Sequence, residues 1–357
     1  MSVCFKREKA AANLIIRIKA LFAQKRLRSL QAGRLRSSRL KENLNNETRS
    51  KRKVYLLRAA KIIVPLALGA ICLYYILTAF QWTEIWRVLQ KADIFLFLTS
   101  SITTTIIFWF LRTLRWSVLL KNESLDVPFF KLYLYTAVTV GFANFTPFQS
   151  GEALKVELFR KYGGARLSGY NYFFLEKLFD LLVISTLAVF GIFYLFEFAI
   201  GNHIQLAIVG LIGFLIILTA AFILAAKKFR EKLRNFQIDF GKVFYGFLLT
   251  LASWATMIVG WKFIFQSAAI DLTIFQTMAV ISLTTVIGII SFIPGAIGVS
   301  EISIAALLSQ IGFETVAAQT GAMMIALYSL VILILSVVHL IILKASSIKL
   351  NNSSNNR

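Results

Sequence analysis

Asn144-Phe145-Thr146-Pro147-Phe148-Gln149-Ser150-Gly151-Glu152 and Ser291-Phe292-Ile293-Pro294-Gly295-Ala296-Ile297-Gly298 carry nearly the same phrase inside two apolar stretches. The shared core is Phe-x-Pro-x-x-x-Gly with a glutamate close behind, Glu152 in one case and Glu301 in the other. The chain holds only 4 prolines, so two at matching places in hydrophobic sequence call for a reason. Proline removes a backbone donor, and glycine lets other groups approach the main chain closely. Inside a bilayer, freed backbone groups are tolerated only against other protein or in a water-lined cavity. Paired interrupted segments in two halves of a membrane protein point to a transport site.

Composition agrees with a membrane setting. The chain of 357 residues is 58% hydrophobic and 16% charged, with a mean hydropathy of +0.72. At about 20 residues per span it holds roughly seven to nine helical elements. Cys4 and Cys72 are too few for a disulfide framework, and His203 and His339 are the only histidines. HExxH and CxxC patterns are absent, so no metal site, no cofactor and no metal-dependent hydrolase are expected.

The net charge of +22 is unevenly placed. Between Met1 and Lys53, 16 Lys/Arg face 3 glutamates, Glu8, Glu42 and Glu47. On a polytopic membrane protein such a tail marks a cytoplasmic end lying against anionic lipid rather than a nucleic-acid-binding arm. Residues 1–56 therefore read as a basic tail. Leu14, Ile18, Leu21 and Phe22 would put part of it on an interfacial amphipathic helix, while its composition equally fits a disordered tail or a misplaced start. Arg17 and Lys19 interrupt its apolar stretch, so no cleavable signal peptide is expected.

Residues 57–345 form the membrane domain, and 346–357 an Asn/Ser-rich disordered tail. Full spans are expected at Ile62–Phe80, Ile94–Leu111, Leu178–Phe196, Ile204–Ala226, Val243–Phe265 and Ala318–Lys344, with an interfacial helix around Trp82, Trp86, Arg87 and Lys91. Phe129–Phe145 and Phe275–Phe292 are apolar but stop at the two prolines. Placing the basic clusters at Arg112/Arg115/Lys121, Lys155/Arg160/Lys161/Arg166, Lys227–Arg234 and Lys344/Lys349 in the cytoplasm makes the two broken segments enter from opposite faces. The fold class is thus an all-α, polytopic helical bundle with about six full spans plus two oppositely oriented re-entrant segments, an inverted repeat. Both termini are expected in the cytoplasm of a bacterial inner-membrane protein.

Charges inside apolar segments are functional candidates because an unpaired one costs several kcal/mol there. Glu152, Lys155, Glu176, Lys177, Asp180 and Glu301 qualify, and Glu176 and Asp180 share a helical face. One reading is a polar cavity for a lipid head group; the other is interfacial salt bridges that set helix depth. Arg112 and Arg115, beside Trp116, would either hold a phosphate or anchor the cytoplasmic end of a span. Half-helix N-termini after Gly151 and Gly298 would offer backbone donors to phosphate. Lys262 is expected to snorkel, and His339 to be a packed polar residue.

At these motifs the chain resembles the lysylphosphatidylglycerol synthase transmembrane region family, also called flippase-like domain proteins. Arg112 and Arg115 with Trp116, Asn144, Pro147, Gly151 and Glu152, Glu176 with Asp180, and Pro294, Gly295, Gly298 and Glu301 carry the resemblance, over about Ile62 to Lys344. It implies a membrane protein that handles phospholipid or polyprenyl-linked head groups. Fusion members of the family carry a separate soluble aminoacyl-transfer domain. Here the chain ends about a dozen residues after the last span, so no such domain is expected. Phe148-Gln149-Ser150 stands where relatives often carry glycine or arginine.

These readings favour a lipid translocase over an enzyme. No Walker A pattern is present, so transport would be passive, ion-coupled or partner-driven. The alternatives are an integral membrane lipid-modifying transferase and a non-catalytic partner of a membrane glycosyltransferase; a homo-oligomer or partner enzyme is compatible with either.

Overall fold

The computed structural model describes residues 64–120, 127–161, 166–196 and 240–355, and every regular element among them is helical. The basic tail at 1–56 and the expected span at Ile204–Ala226 lie outside the described residues. Among the described residues, five helices are long and apolar enough to cross a membrane, or six if one bent pair is a single span.

That bent pair comprises α1 (Val64–Ala79) and α2 (Trp82–Leu89), which meet at 80°. Breaking a helix exposes main-chain donors and acceptors that hydrocarbon cannot satisfy. Buried Gln319 supplies the missing partners: its Oε1 accepts the Gln81 N–H at 2.9 Å and its Nε2 donates to the Ala79 carbonyl at 3.4 Å. In α2, Ile85 is buried while Trp82 and Trp86 face outward. That division of faces is what an interfacial helix requires.

The remaining helices fall into two sets with the same order. The first is α3 (Ile94–Leu120), α4 (Phe129–Ala143), a 3₁₀ segment Pro147–Leu154, α5 (Lys155–Lys161) and α6 (Arg166–Phe196). The second is α7 (Phe240–Ser267), α8 (Ile274–Ser291), a 3₁₀ turn Pro294–Ala296, α9 (Val299–Ile311) and α10 (Thr315–Asn355). Each set is thus a long helix, an apolar helix, a proline break, a short helix and a long helix. Packing respects the correspondence: α3 lies on α7, α4 on α10 and α6 on α8.

The direction of one pairing shows how the sets are related. The Asp93 N–H donates to the Ser267 carbonyl at 2.8 Å, Thr104 abuts Gly260, and Arg115 reaches Thr250. As numbering rises along α3 it falls along α7, so these equivalent helices run antiparallel. The operation relating the sets turns a helix upside down, as an inverted repeat demands. A β-carbon on Gly260 would lie 2.2 Å from Thr104 Oγ1. This glycine sets how closely α3 and α7 approach.

Both prolines stand at the first position of a 3₁₀ turn, where their missing N–H leaves no bond unmade. In the first break, Thr146 Oγ1 accepts the Gly151 N–H at 2.9 Å, folding the turn back on α4. In the second, Phe292, Gly295, Ala296 and Gly298 all take positive φ. A β-carbon on Gly295 would sit 2.9 Å from the Asn144 carbonyl oxygen. The two breaks therefore meet main chain to main chain, and the residue at the closest approach is the one that lacks a side chain.

The sequence places the end of the second span at Leu111, but α3 continues to Leu120, carrying Arg112 and Arg115 well inside the helix. Charges at an apparent span end read as a boundary; here their partners lie within the protein, so the helix has no reason to stop. At the other end of the bundle, Lys262 Nζ donates to the Leu272 carbonyl at 2.6 Å; His339 packs edge-on against Tyr133 and against Trp109, one turn of α3 before Arg112.

Candidate functional site

Arg112 and Arg115 are three residues apart on α3 and so share a face. The first break delivers Glu152, α5 delivers Lys155, and α6 delivers Glu176, Lys177 and Asp180. All of these converge. Arg112 donates to Glu152 Oε1 at 2.7 Å and to Asp180 Oδ2 at 2.5 Å. Arg115 donates to Glu176 at 2.5 Å, to Asp180 Oδ1 at 2.9 Å and to the Thr250 hydroxyl at 2.8 Å. Lys155 stands 3.3 Å from both Glu152 and Glu176, and Lys177 2.9 Å from Glu152.

Four cations face three carboxylates, leaving one net positive charge among the described residues. Only Lys177 has appreciable exposure, at 23% of its side chain; Arg115 and Glu176 have none. Aromatic faces line the cations: Arg112 lies over Phe108 at 4.8 Å and Lys155 over Trp116 at 5.8 Å. These contacts add electrostatic attraction where water is excluded. Four buried atoms beside the network, Arg112 Nε, Arg115 Nε, Trp116 Nε1 and Glu176 Oε2, have no hydrogen-bond partner among the described residues. The network therefore has polar capacity that its own side chains do not use.

This arrangement changes what the arginines can do. Their terminal nitrogens already bind carboxylates, so a phosphate takes a bidentate hold on either arginine only by displacing Asp180, Glu152 or Glu176. Thr250 joins the network from the second repeat and had no signal in the sequence, being one hydroxyl in a long apolar helix. Its Oγ1 also donates to the Gly246 carbonyl at 2.9 Å, so it receives from Arg115 while giving to its own helix.

The second break is built differently. Glu301 accepts the Gly298 N–H at 2.6 Å and the Ser300 hydroxyl at 2.9 Å, capping α9. The Gly298 N–H is thus already held by the chain's own carboxylate, whose charge stands where an anion would dock. Gly298 lies against Cys72 of α1, where a β-carbon would approach to 2.6 Å. Asn144 and Gly295 meet where the two breaks approach, Pro147, Gly151 and Pro294 shape the turns on either side, and Arg112, Arg115, Glu152, Glu176 and Asp180 form the network. Glu301 belongs to none of these groups. Replacing Glu301 with alanine should remove one helix cap and lower stability by about 1 kcal/mol, read as a small fall in the thermal unfolding midpoint. A collapse of the fold would show that Glu301 holds more than its own helix.

Among the described residues no group of three or more His, Cys, Asp or Glu side chains is arranged to hold a metal ion. The family described as the lysylphosphatidylglycerol synthase TM region matches residues 62–336, which takes in the network and both breaks. The chain is also 24% identical over 294 residues to the UPF0104 membrane protein PH1989 of Pyrococcus horikoshii, covering 68% of this chain and 85% of that protein.

Proposed function

The chain belongs to the lysylphosphatidylglycerol synthase TM region family, and from that premise we propose that it moves the polar head group of a phospholipid or polyprenyl-linked lipid between the leaflets of a bacterial inner membrane. The observation that carries this reading is the buried network of Arg112, Arg115, Glu152, Lys155, Glu176, Lys177 and Asp180 beside the first break. Desolvating so many charges is poor value as a source of stability, since well-packed apolar residues do as well or better. Within a membrane, such residues mark a path or a site.

A lipid head group offers the exchange partners that the network needs in order to open. Its phosphate can replace a carboxylate on an arginine, and an ammonium or hydroxyl group can replace a cation on the released carboxylate. Each exchange trades one charge-assisted hydrogen bond for another. The network would then be a closed state that a head group loosens without exposing a bare charge. By the positive-inside rule it faces the cytoplasmic leaflet, with both chain ends on the same side and the basic tail against anionic lipid.

Glu152 bridges the most elements, touching α3, α5 and α6. Converting Glu152 to glutamine keeps its shape and removes its charge. Exchange of a fluorescent phospholipid in proteoliposomes, followed by reduction of the outer-leaflet label, should slow at least about tenfold, the rate equivalent of 1.4 kcal/mol. An unchanged rate, with the protein folded, would remove Glu152 from the transport site.

A further inference from the structure

The antiparallel seam between α3 and α7 carries an open groove of about 540 Å³. Five of its ten lining side chains bear hydroxyls: Thr99, Ser100, Thr103, Thr104 and Thr256. In most membrane helices such hydroxyls turn back onto the carbonyl one turn earlier, as Ser100 does to Leu96 and Thr256 to Ala252. Among the described residues, the hydroxyls of Thr99, Thr103 and Thr104 make no hydrogen bond at all. An unmade hydroxyl bond in an apolar medium costs about 1–3 kcal/mol. Acyl chains cannot supply the bond. Three such hydroxyls give this otherwise apolar groove a row of hydrogen-bonding groups open to a polar occupant.

The groove is also placed between two polar ends. Arg115 stands about three turns beyond Thr104 and on nearly the same face of α3. At the opposite end, a second cavity of about 400 Å³ is lined by Arg87, Lys91, Asp93 and Gln266 among others, and α2 presents its exposed tryptophans alongside. From Asp93 to Arg112 the helix rises about 28 Å at 1.5 Å per residue, close to the roughly 30 Å of a bilayer's hydrocarbon core. The groove occupies the depth between these two ends.

We propose that the α3–α7 groove is the route along which a phospholipid head group crosses the membrane, with its acyl chains remaining in the bilayer. The proposal rests on the translocation reading above and names its path. The head group hydrogen-bonds in turn to Thr99, Thr103 and Thr104, between the Arg87/Lys91 cavity on one side and the arginine network on the other. Gly260 contributes by the absence of a side chain, which lets α7 lie close enough to form the far wall.

The full chain in lipid nanodiscs tests this with two photoactivatable phosphatidylethanolamines, one carrying the reactive group on the head-group amine and the other at the end of an acyl chain. The head-group probe should label peptides covering residues 96–107 and 255–263. That labelling should fall at least fivefold in a Thr99→Val/Thr103→Val/Thr104→Val variant, which keeps side-chain volume and removes only the hydroxyls. Labelling of the groove by the acyl probe should be unchanged, which also reports that the variant is folded. Groove labelling by the acyl probe alone, or equal head-group labelling in the variant, overturns the proposal. Cross-linking of a second copy through Thr103→Cys, with neither lipid probe reacting, also overturns it and gives the groove to helix packing. Leaflet exchange measured on the same samples separates the two ideas. Labelling without exchange sinks translocation and reduces the groove from a route to a head-group binding site, whereas exchange without labelling sinks the groove and keeps translocation.

Discussion

Replacing Arg115 with leucine should lower the stability of the folded protein by about 3 kcal/mol, the lower end of the range for breaking a buried ion pair. Arg115 is completely buried and binds Glu176, Asp180 and Thr250 at once. The lower end applies because neither carboxylate is left without a cation: Asp180 keeps Arg112, and Glu176 keeps Lys155. The measurement is thermal unfolding in detergent, where the midpoint should drop by several degrees. Arg115→Lys should recover less than half of the loss, because an ammonium on a flexible stem cannot reproduce the planar fork that reaches three acceptors. A midpoint equal to that of the wild type would mean that water reaches these groups and that they are not buried partners.

Gly295→Ala is expected to be about as damaging, for a different reason. At φ of 66° an alanine costs roughly 1–2 kcal/mol in backbone strain. Its β-carbon would also lie 2.9 Å from the Asn144 carbonyl oxygen, a main-chain atom that cannot swing aside. Forcing extra atoms into a packed site adds typically 1–3 kcal/mol. Gly312→Ala is the control: its φ is also positive, at 108°, but nothing lies within 4 Å of the added carbon. If both variants lose the same stability, the contact between the breaks contributes nothing beyond backbone conformation. A larger loss at Gly295 measures how firmly the two breaks hold each other.

Much of the architecture could be read from local chemistry. Pro147 and Pro294 announced the breaks because proline cannot continue an apolar helix silently, and the glycines around them announced a close approach. The outward tryptophans of α2 and the order of the apolar stretches were equally plain. What local reading missed was pairing over distance. Arg112 and Arg115 looked like the end of a span because nothing nearby in sequence neutralises them; their partners come from residues 152, 176 and 180. Thr250 and Gln319 were invisible for the same reason, since their value lies wholly in what another helix brings to them. Glu152 and Glu301 looked alike, each following a proline and a glycine, yet one enters a buried ion network and the other caps its own helix. Spacing alone could not separate them, because the difference lies in which helices pass nearby.

The elbow between α1 and α2 has an implication for biogenesis. Its exposed N–H and carbonyl are satisfied by one amide, that of Gln319, which belongs to α10, 238 residues beyond Gln81 along the sequence. While the ribosome is still making the earlier helices, that amide does not exist, and the elbow's N–H and carbonyl must take their bonds from water at the membrane surface. The elbow thus gains its final pairing only once the helix carrying Gln319 is in place. A chain cut before residue 319 leaves both of the elbow's main-chain groups without their side-chain partner.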